Sequence, residues 1–225
     1  RARLRLFFPK ADKRIACSFF KHTTNKMHDD HFKVQILPPV IREEITELKS
    51  QLVNNSMNSN FLVYISPYSE FVQTAKEVLS VLEKFPNSIF YLFVSKTSDF
   101  SIIKNIPDNV KIFFHGDSEF LNVISITCAA ICTAGHTFIS EMMFLKKPVY
   151  AIPLQTYEQQ YNAKIIQDNA FGICCSKFEV EALDYFINNI NKFKRNIQSD
   201  KKILLNKSTG QKRIIGIIQK LLFTV

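Results

Sequence analysis

Residues 133–163 read TAGHTFISEMMFLKKPVYAIPLQTYEQQYNA. Phe138, Ile139, Met142, Met143 and Leu145 recur at helical spacing, which predicts a helix over residues 136–145. Pro148 then opens a short apolar run, 148–152, and a polar stretch leads into a second helical pattern over 158–167. The apolar run 129–132 immediately precedes the quoted segment. The whole therefore reads strand, helix, strand, helix. Upstream, the apolar runs 61–65, 89–94 and 110–114 repeat the strand signal, and a last short strand falls at 173–175. Helical patterns lie between them: Phe71, Val72, Ala75, Val78, Leu79 and Leu82 on one face, and a second over residues 119–126. Ser176 with Glu179 reads as a capping box for a helix over 178–190.

Continuously apolar strands separated by helices are buried on both faces, which means a parallel sheet in an α/β domain. Right-handed crossovers bring all the strands' carboxyl ends to one edge, where such sheets bind ligands. The loops at that edge are 66–69, 114–118, 133–136 and 153–158.

The first forty residues fall outside this repeat. Residues 4–8 and 15–20 read as strands, 21–33 is polar, and Ile36-Leu37-Pro38-Pro39-Val40 reads as an extended connector. The expected division is therefore 1–40 as the tail of an N-terminal domain with its linker, 41–198 as the main domain, and 199–225 as C-terminal helices. Residues 54–60, rich in Asn and Ser, form a loop before the first strand of the main domain, and 202–225 a helix pair broken at Gly210. A chain that starts with Arg is expected to be a piece of a longer one.

Apolar residues at 46 % support a real core, and no apolar run approaches the roughly 18 residues of a membrane-spanning helix. The formal charge of +9 favours anionic partners such as a nucleotide diphosphate or an acidic bilayer surface, or else marks a solvated basic face. The basic residues are scattered without a recognition motif, so nucleic acid is not an expected partner. Five cysteines, at 17, 128, 132, 174 and 175, lack framework spacing and read as reduced, buried thiols in a cytoplasmic protein. His28-Asp29-Asp30-His31 reads as a metal half-site or a solvated polar turn; with no second half in the sequence, no metal is expected.

Thr133-Ala134-Gly135-His136 follows a strand and opens a helix, the geometry in which helix N–H groups hold an anion. Gly135 allows close backbone approach and Thr137 adds a hydroxyl; the same residues also serve a plain turn. Glu141 sits within a largely apolar helix. A buried carboxylate needs partners, which two vicinal ribose hydroxyls, an Arg or Lys, or an exposed stripe with Thr137 and Ser140 would each supply. Residues 154–163 place amides and a carboxylate at a helix start on the ligand edge, suited to sugar hydroxyls.

Thr-Ala-Gly-His-Thr-Phe-Ile-Ser-Glu (133–141), Lys-Lys-Pro-Val (146–149), Ile152-Pro153 and Tyr-Glu-Gln-Gln-Tyr-Asn-Ala (157–163) together resemble the donor-binding domain of MurG-like GT-B glycosyltransferases. One position departs, since Phe138 stands where the motif carries a hydroxyl. The resemblance extends more loosely over 34–190, with 37–42 similar to the linker between the family's two halves and 7–12 and 18–20 similar to the end of its acceptor domain. It implies a Rossmann-like parallel sheet flanked by helices, the C-terminal half of a GT-B fold, with a remnant of a second α/β domain at the N-terminus. By the same resemblance Gly135, His136 and Thr137 hold the diphosphate, with Ser66 on the facing loop, although Ser66-Pro67-Tyr68-Ser69 has no glycine. Glu141 holds the ribose, Phe113 and Phe114 the base, and Glu158 and Gln159 the sugar.

The implied reaction transfers a sugar from a nucleoside diphosphate, UDP above all, to a hydroxyl acceptor, with inversion and without a metal or other cofactor. No catalytic base is assigned, because in this family it comes from the N-terminal domain. A lipid-linked acceptor and peripheral contact with the inner face of a membrane agree with the basic charge. The rival readings are a non-catalytic nucleotide-sugar-binding module, a basic adaptor without a ligand, and a UDP-sugar epimerase. The epimerase's Thr-Glu-Arg-Pro-Glu run is missing from 154–158.

Overall fold

The computed structural model describes residues 14–21, 34–51, 59–65 and 73–222. In chain order the elements are β1 (Arg14–Cys17), β2 (Val34–Leu37), α1 (Glu43–Gln51), β3 (Asn60–Tyr64), α2 (Ala75–Leu82), β4 (Ile89–Val94) and β5 (Val110–Phe114). There follow α3 (Phe120–Ile126), β6 (Ala129–Thr133), α4 (His136–Phe144), β7 (Val149–Ile152), α5 (Tyr157–Asp168), β8 (Gly172–Cys174), α6 (Val180–Ser199) and α7 (Gly210–Leu222). Short 3-10 turns occupy Asp99–Ile102 and Leu204–Asn206. The chain divides into two compact units, Arg1–Val40 with Lys201–Val225, and Ile41–Asp200.

The larger unit is built on a six-stranded sheet in the order β5-β4-β3-β6-β7-β8, with every pairing parallel. The order reverses between β3 and β6, where Val63 pairs with Ile131. β3 and β6 are buried on both faces because Phe61, Leu62, Val63, Ala129, Ala130 and Ile131 are all apolar and fully enclosed, as a two-sided parallel sheet requires. On one face Val63, Phe90, Leu92 and Tyr150 pack in a core with α2 and α6. α6 contributes Leu183, Phe186, Ile190 and Phe193, spaced three or four apart along a single stripe. Each fully buried side chain of this size contributes roughly 1.5–3 kcal/mol relative to exposure.

The strand and helix readings hold within a residue or two through 89–175, and the exceptions have local causes. α6 begins at Val180 with Glu179 at its cap and no side-chain bond there, so the Ser176 box does not form. A capping box forms instead at α2, where the Thr74 hydroxyl accepts the Glu77 N–H at 3.3 Å and the Glu77 carboxylate accepts the Thr74 N–H at 2.8 Å. Gly172 carries no Cβ because one would fall 1.8 Å from the Val149 carbonyl oxygen. Of the thiols, Cys128 and Cys132 are buried, Cys174 and Cys175 half-buried, and Cys17 exposed.

In the smaller unit β1 and β2 pair in parallel, so Ile36 and Leu37 belong to a strand and not to a connector. Phe20 bridges to Ile203 in antiparallel fashion. The expected closing helix pair is one helix, which starts at Gly210 where it was expected to break. The Gly210 N–H donates to the Pro39 carbonyl at 2.8 Å, and a Cβ there would meet the Pro38 carbonyl oxygen at 2.3 Å. Residues 4–8, Phe71, Val72, the 66–69 loop with Ser66, and the His28–His31 cluster lie outside the described residues. Among the described residues no helix is long and apolar enough to cross a membrane.

Candidate functional site

Where the strand order reverses, successive connections leave to opposite faces and open a crevice at the carboxyl edge of the sheet. A cleft of about 920 Å³ lies there, walled by the ends of β3, β5 and β6 and by the starts of α4 and α5. Six of the expected site residues line it together: Gly135, His136, Thr137, Glu141, Glu158 and Gln159.

The inner wall is aromatic. Tyr64, at the end of β3, stacks on Phe138 at 4.8 Å and 15°, and meets His115 at 4.7 Å and Phe120 at 5.7 Å. Phe138 is buried in this cluster. At the position where the motif carries a hydroxyl, this chain therefore packs an aromatic ring. Burial pushes the Tyr64 phenol above its ordinary range.

Glu141 reaches the cleft from the second turn of α4. Its side chain is 2 % exposed, and both oxygens accept from Arg42, Nε at 2.7 Å and Nη2 at 2.9 Å. Of the partners open to a carboxylate at this position, an arginine is therefore present. Ser140 is buried and bonded to the His136 carbonyl, so it and Glu141 form no exposed stripe. Arg42 lies 5.3 Å from the Phe120 ring centroid, and its bond to Glu141 raises its pKa. A carboxylate has about four lone-pair sites, so two donors leave capacity for hydroxyls arriving from the cleft.

At the start of α4, Gly135 stands at the cap and donates its N–H to the Thr133 carbonyl at 2.8 Å. A Cβ on Gly135 would meet nothing within 4 Å. The first helical amide, His136 N–H, donates to Glu158 Oε1 at 3.1 Å. Burial lowers the His136 pKa, and the Glu158 charge opposes that shift. Asn162 anchors α5 beneath, donating to the Ala134 carbonyl at 3.0 Å. Gln159 Oε1 accepts the Leu154 N–H at 3.1 Å, and the Thr156 hydroxyl caps the helix.

At the β5 side the wall starts one residue later than the resemblance placed it. Phe113 stacks on Phe93 at 5.0 Å, and the Phe114 N–H donates to Asp117 Oδ2 at 2.8 Å. Neither lines the cleft, whereas His115, Gly116 and Asp117 do. His115 Nε2 lies 2.8 Å from the Ile65 carbonyl, so that nitrogen carries a proton and donates it. Burial lowers the His115 pKa, and the bond to Ile65 opposes that shift. Gly116 takes a φ of 92°, a left-handed conformation open to glycine, and so turns the chain along the wall.

Sequence reasoning missed Arg42, His115 and Tyr64. Arg42 was read as linker, and its role depends on a partner 99 residues away that no local pattern reveals. Among the described residues lining the cleft, Arg42 is the single Lys or Arg, against Asp117, Glu141 and Glu158. An anion here therefore depends on Arg42 and on the α4 N-terminus.

Three solved glycosyltransferases share this fold at low identity. The chain matches a variant of Os79 from O. sativa in complex with UDP with TM-score 0.65 and 13 % identity, over 85 % of this chain and 51 % of that one. For the calicheamicin glycosyltransferase CalG4 the values are 0.61 and 12 %, over 84 % and 47 %. For the spinosyn rhamnosyltransferase SpnG complexed with thymidine diphosphate they are 0.53 and 16 %, over 71 % and 45 %. The chain thus spans about half the length of these structures. The shared fold is the α/β, GT-B-type arrangement expected from the sequence. No curated protein matches the chain by sequence. A family model described as glycosyl transferase family 1 matches residues 1–191, and with that much of its length inside the model the chain belongs to glycosyl transferase family 1.

Proposed function

We propose that the Ile41–Asp200 unit is the donor-binding half of a MurG-like glycosyltransferase that takes its sugar from a nucleoside diphosphate, UDP in the first instance. The observation that carries this reading is the meeting of three features in one cleft: the glycine-led start of α4, Glu141, and the Glu158–Gln159 pair. An anion at the α4 N-terminus, ribose hydroxyls on Glu141 and sugar hydroxyls on Glu158 and Gln159 give each polar group a complementary partner. The base rests against His115 and Gly116, beyond Phe113 and Phe114. Ser66 is assigned to the diphosphate by family resemblance alone. The similar structures complexed with thymidine diphosphate and with UDP support a diphosphate ligand.

In the reaction we propose, the acceptor hydroxyl attacks the anomeric carbon from the side opposite the diphosphate. The bond from that carbon to the diphosphate oxygen breaks, and configuration inverts. The α4 amides and Arg42 stabilise the negative charge that grows on the leaving group, so no metal is needed. The base that takes the acceptor's proton is supplied from outside this unit. Residues 1–40 belong to the acceptor domain and its linker, 41–198 to the donor domain, and 199–225 to C-terminal helices. The formal charge of +9 suits a lipid-linked acceptor at the inner face of a membrane in a cytoplasmic protein.

A thermal-stabilisation screen of UDP- and TDP-sugars tests this reading. UDP-sugars should raise the melting temperature, and the rise should keep growing with the logarithm of their concentration above Kd. Stabilisation by none at millimolar concentration would contradict it. Incubating the stabilising donor without an acceptor separates transfer from epimerisation, since only an epimerase converts the sugar.

A further inference from the structure

We infer that Glu158 is a sugar-sensing residue that competes with the diphosphate for the N-terminus of α4, so that a nucleoside diphosphate bearing its sugar is held more tightly than the bare one. This rests on the donor-site reading above and adds a discrimination that the reading does not contain.

The Glu158 carboxylate comes from the first turn of α5 and accepts the first amide of α4 at 3.1 Å, across 22 residues of sequence. Gly135 offers no side chain to that helix end. A carboxylate at a helix N-terminus takes the place an anionic ligand would use. Asn162 Nδ2 lies 3.5 Å from the same Glu158 oxygen and is itself held on the Ala134 carbonyl, which fixes the inward pose. Glu158 is nonetheless exposed, so it can swing away at small cost.

A bare diphosphate meets this carboxylate as a like charge and has no donor with which to draw it off. A donor sugar carries hydroxyls that can donate to Glu158, so the carboxylate leaves the α4 amide for the sugar as the phosphates arrive. When the sugar has been transferred, the hydroxyls depart with it and the carboxylate returns. It then opposes the diphosphate left behind and promotes its release. Asp117 and Glu141 do not share this role, being bonded to the Phe114 amide and to Arg42.

Calorimetric titration with UDP decides the matter, comparing the wild type with Glu158→Gln, an exposed substitution whose folding is checked by circular dichroism. The variant should bind UDP about two- to fivefold more tightly, the range for relieving one exposed charge contact. The gain should shrink in high salt, as a purely steric change would not. UDP binding by the variant no tighter than by the wild type would overturn the competition and leave the donor reading standing. No UDP binding to either protein would overturn both.

Discussion

Arg42 and Glu141 form a two-point ion pair at 2.7 and 2.9 Å on the wall of the cleft, with the Arg42 side chain 49 % exposed and the Glu141 side chain 2 % exposed. The asymmetry means the two partners are not equivalent. Removing the arginine strands a buried charge, whereas neutralising the carboxylate leaves a guanidinium that water can reach.

Arg42→Ala should therefore destabilise the fold by about 1–3 kcal/mol, discounted from a fully buried pair because water reaches the arginine side. Glu141→Gln should cost less. Urea unfolding of both variants checks the order, and a larger loss for Glu141→Gln would contradict it.

Burial lowers Lys147 from its ordinary 10.5 to about 8, with its Nζ donating to the Thr127 carbonyl, and Lys146 is likewise lowered to about 8. Between about 8 and 10.5 the unfolded chain keeps these protons while the folded chain has shed them, so stability rises with pH. Burial raises Cys128 from 9.0 to about 11, and raises Cys132 as well. From pH 9 upward their ionisation in the unfolded chain works the other way. The urea midpoint should climb from pH 8 to 9 and level off or fall above it. Lys147 alone accounts for at most about 1 kcal/mol of that climb. Lys147→Met should flatten the climb, and an unchanged profile would refute the assignment.

Two glycines should respond in opposite ways. Gly172→Ala drives a Cβ to within 1.8 Å of the Val149 carbonyl oxygen, so it should cost more than about 3 kcal/mol and separate β8 from β7. Gly135→Ala meets nothing within 4 Å and should cost only tenths of a kcal/mol, yet it should weaken nucleotide binding by crowding the α4 N-terminus. Melting temperatures paired with nucleotide titrations test the contrast. A Gly135→Ala variant that binds UDP as the wild type does would argue against a diphosphate at that turn.

The parallel sheet was legible because its strands are apolar on both faces, and that property is written in consecutive residues such as Phe61-Leu62-Val63 and Ile89-Phe90-Tyr91. The turn at Gly135 and the carboxylates Glu141 and Glu158 were legible because their motif is local. Arg42 was not, since its meaning lies in a contact with another helix. Phe113 and Phe114, expected beside a base, stand off the cleft because Phe113 packs on Phe93 and Asp117 takes the Phe114 amide, which leaves His115 and Gly116 on the open surface. Gly210 misled for a different reason. A glycine between apolar runs reads as a break, but here it lets a helix begin against Pro38 and Pro39.

The central claim is that a nucleoside diphosphate binds in the cleft between β3 and β6 with its ribose on Glu141. Isothermal titration of UDP into the wild type and Glu141→Gln tests it most directly. The account predicts measurable wild-type binding that weakens by about 1–3 kcal/mol in the variant, the cost of losing a charged hydrogen-bond partner. No heat of binding at millimolar UDP, or equal affinity for the two proteins, would contradict it.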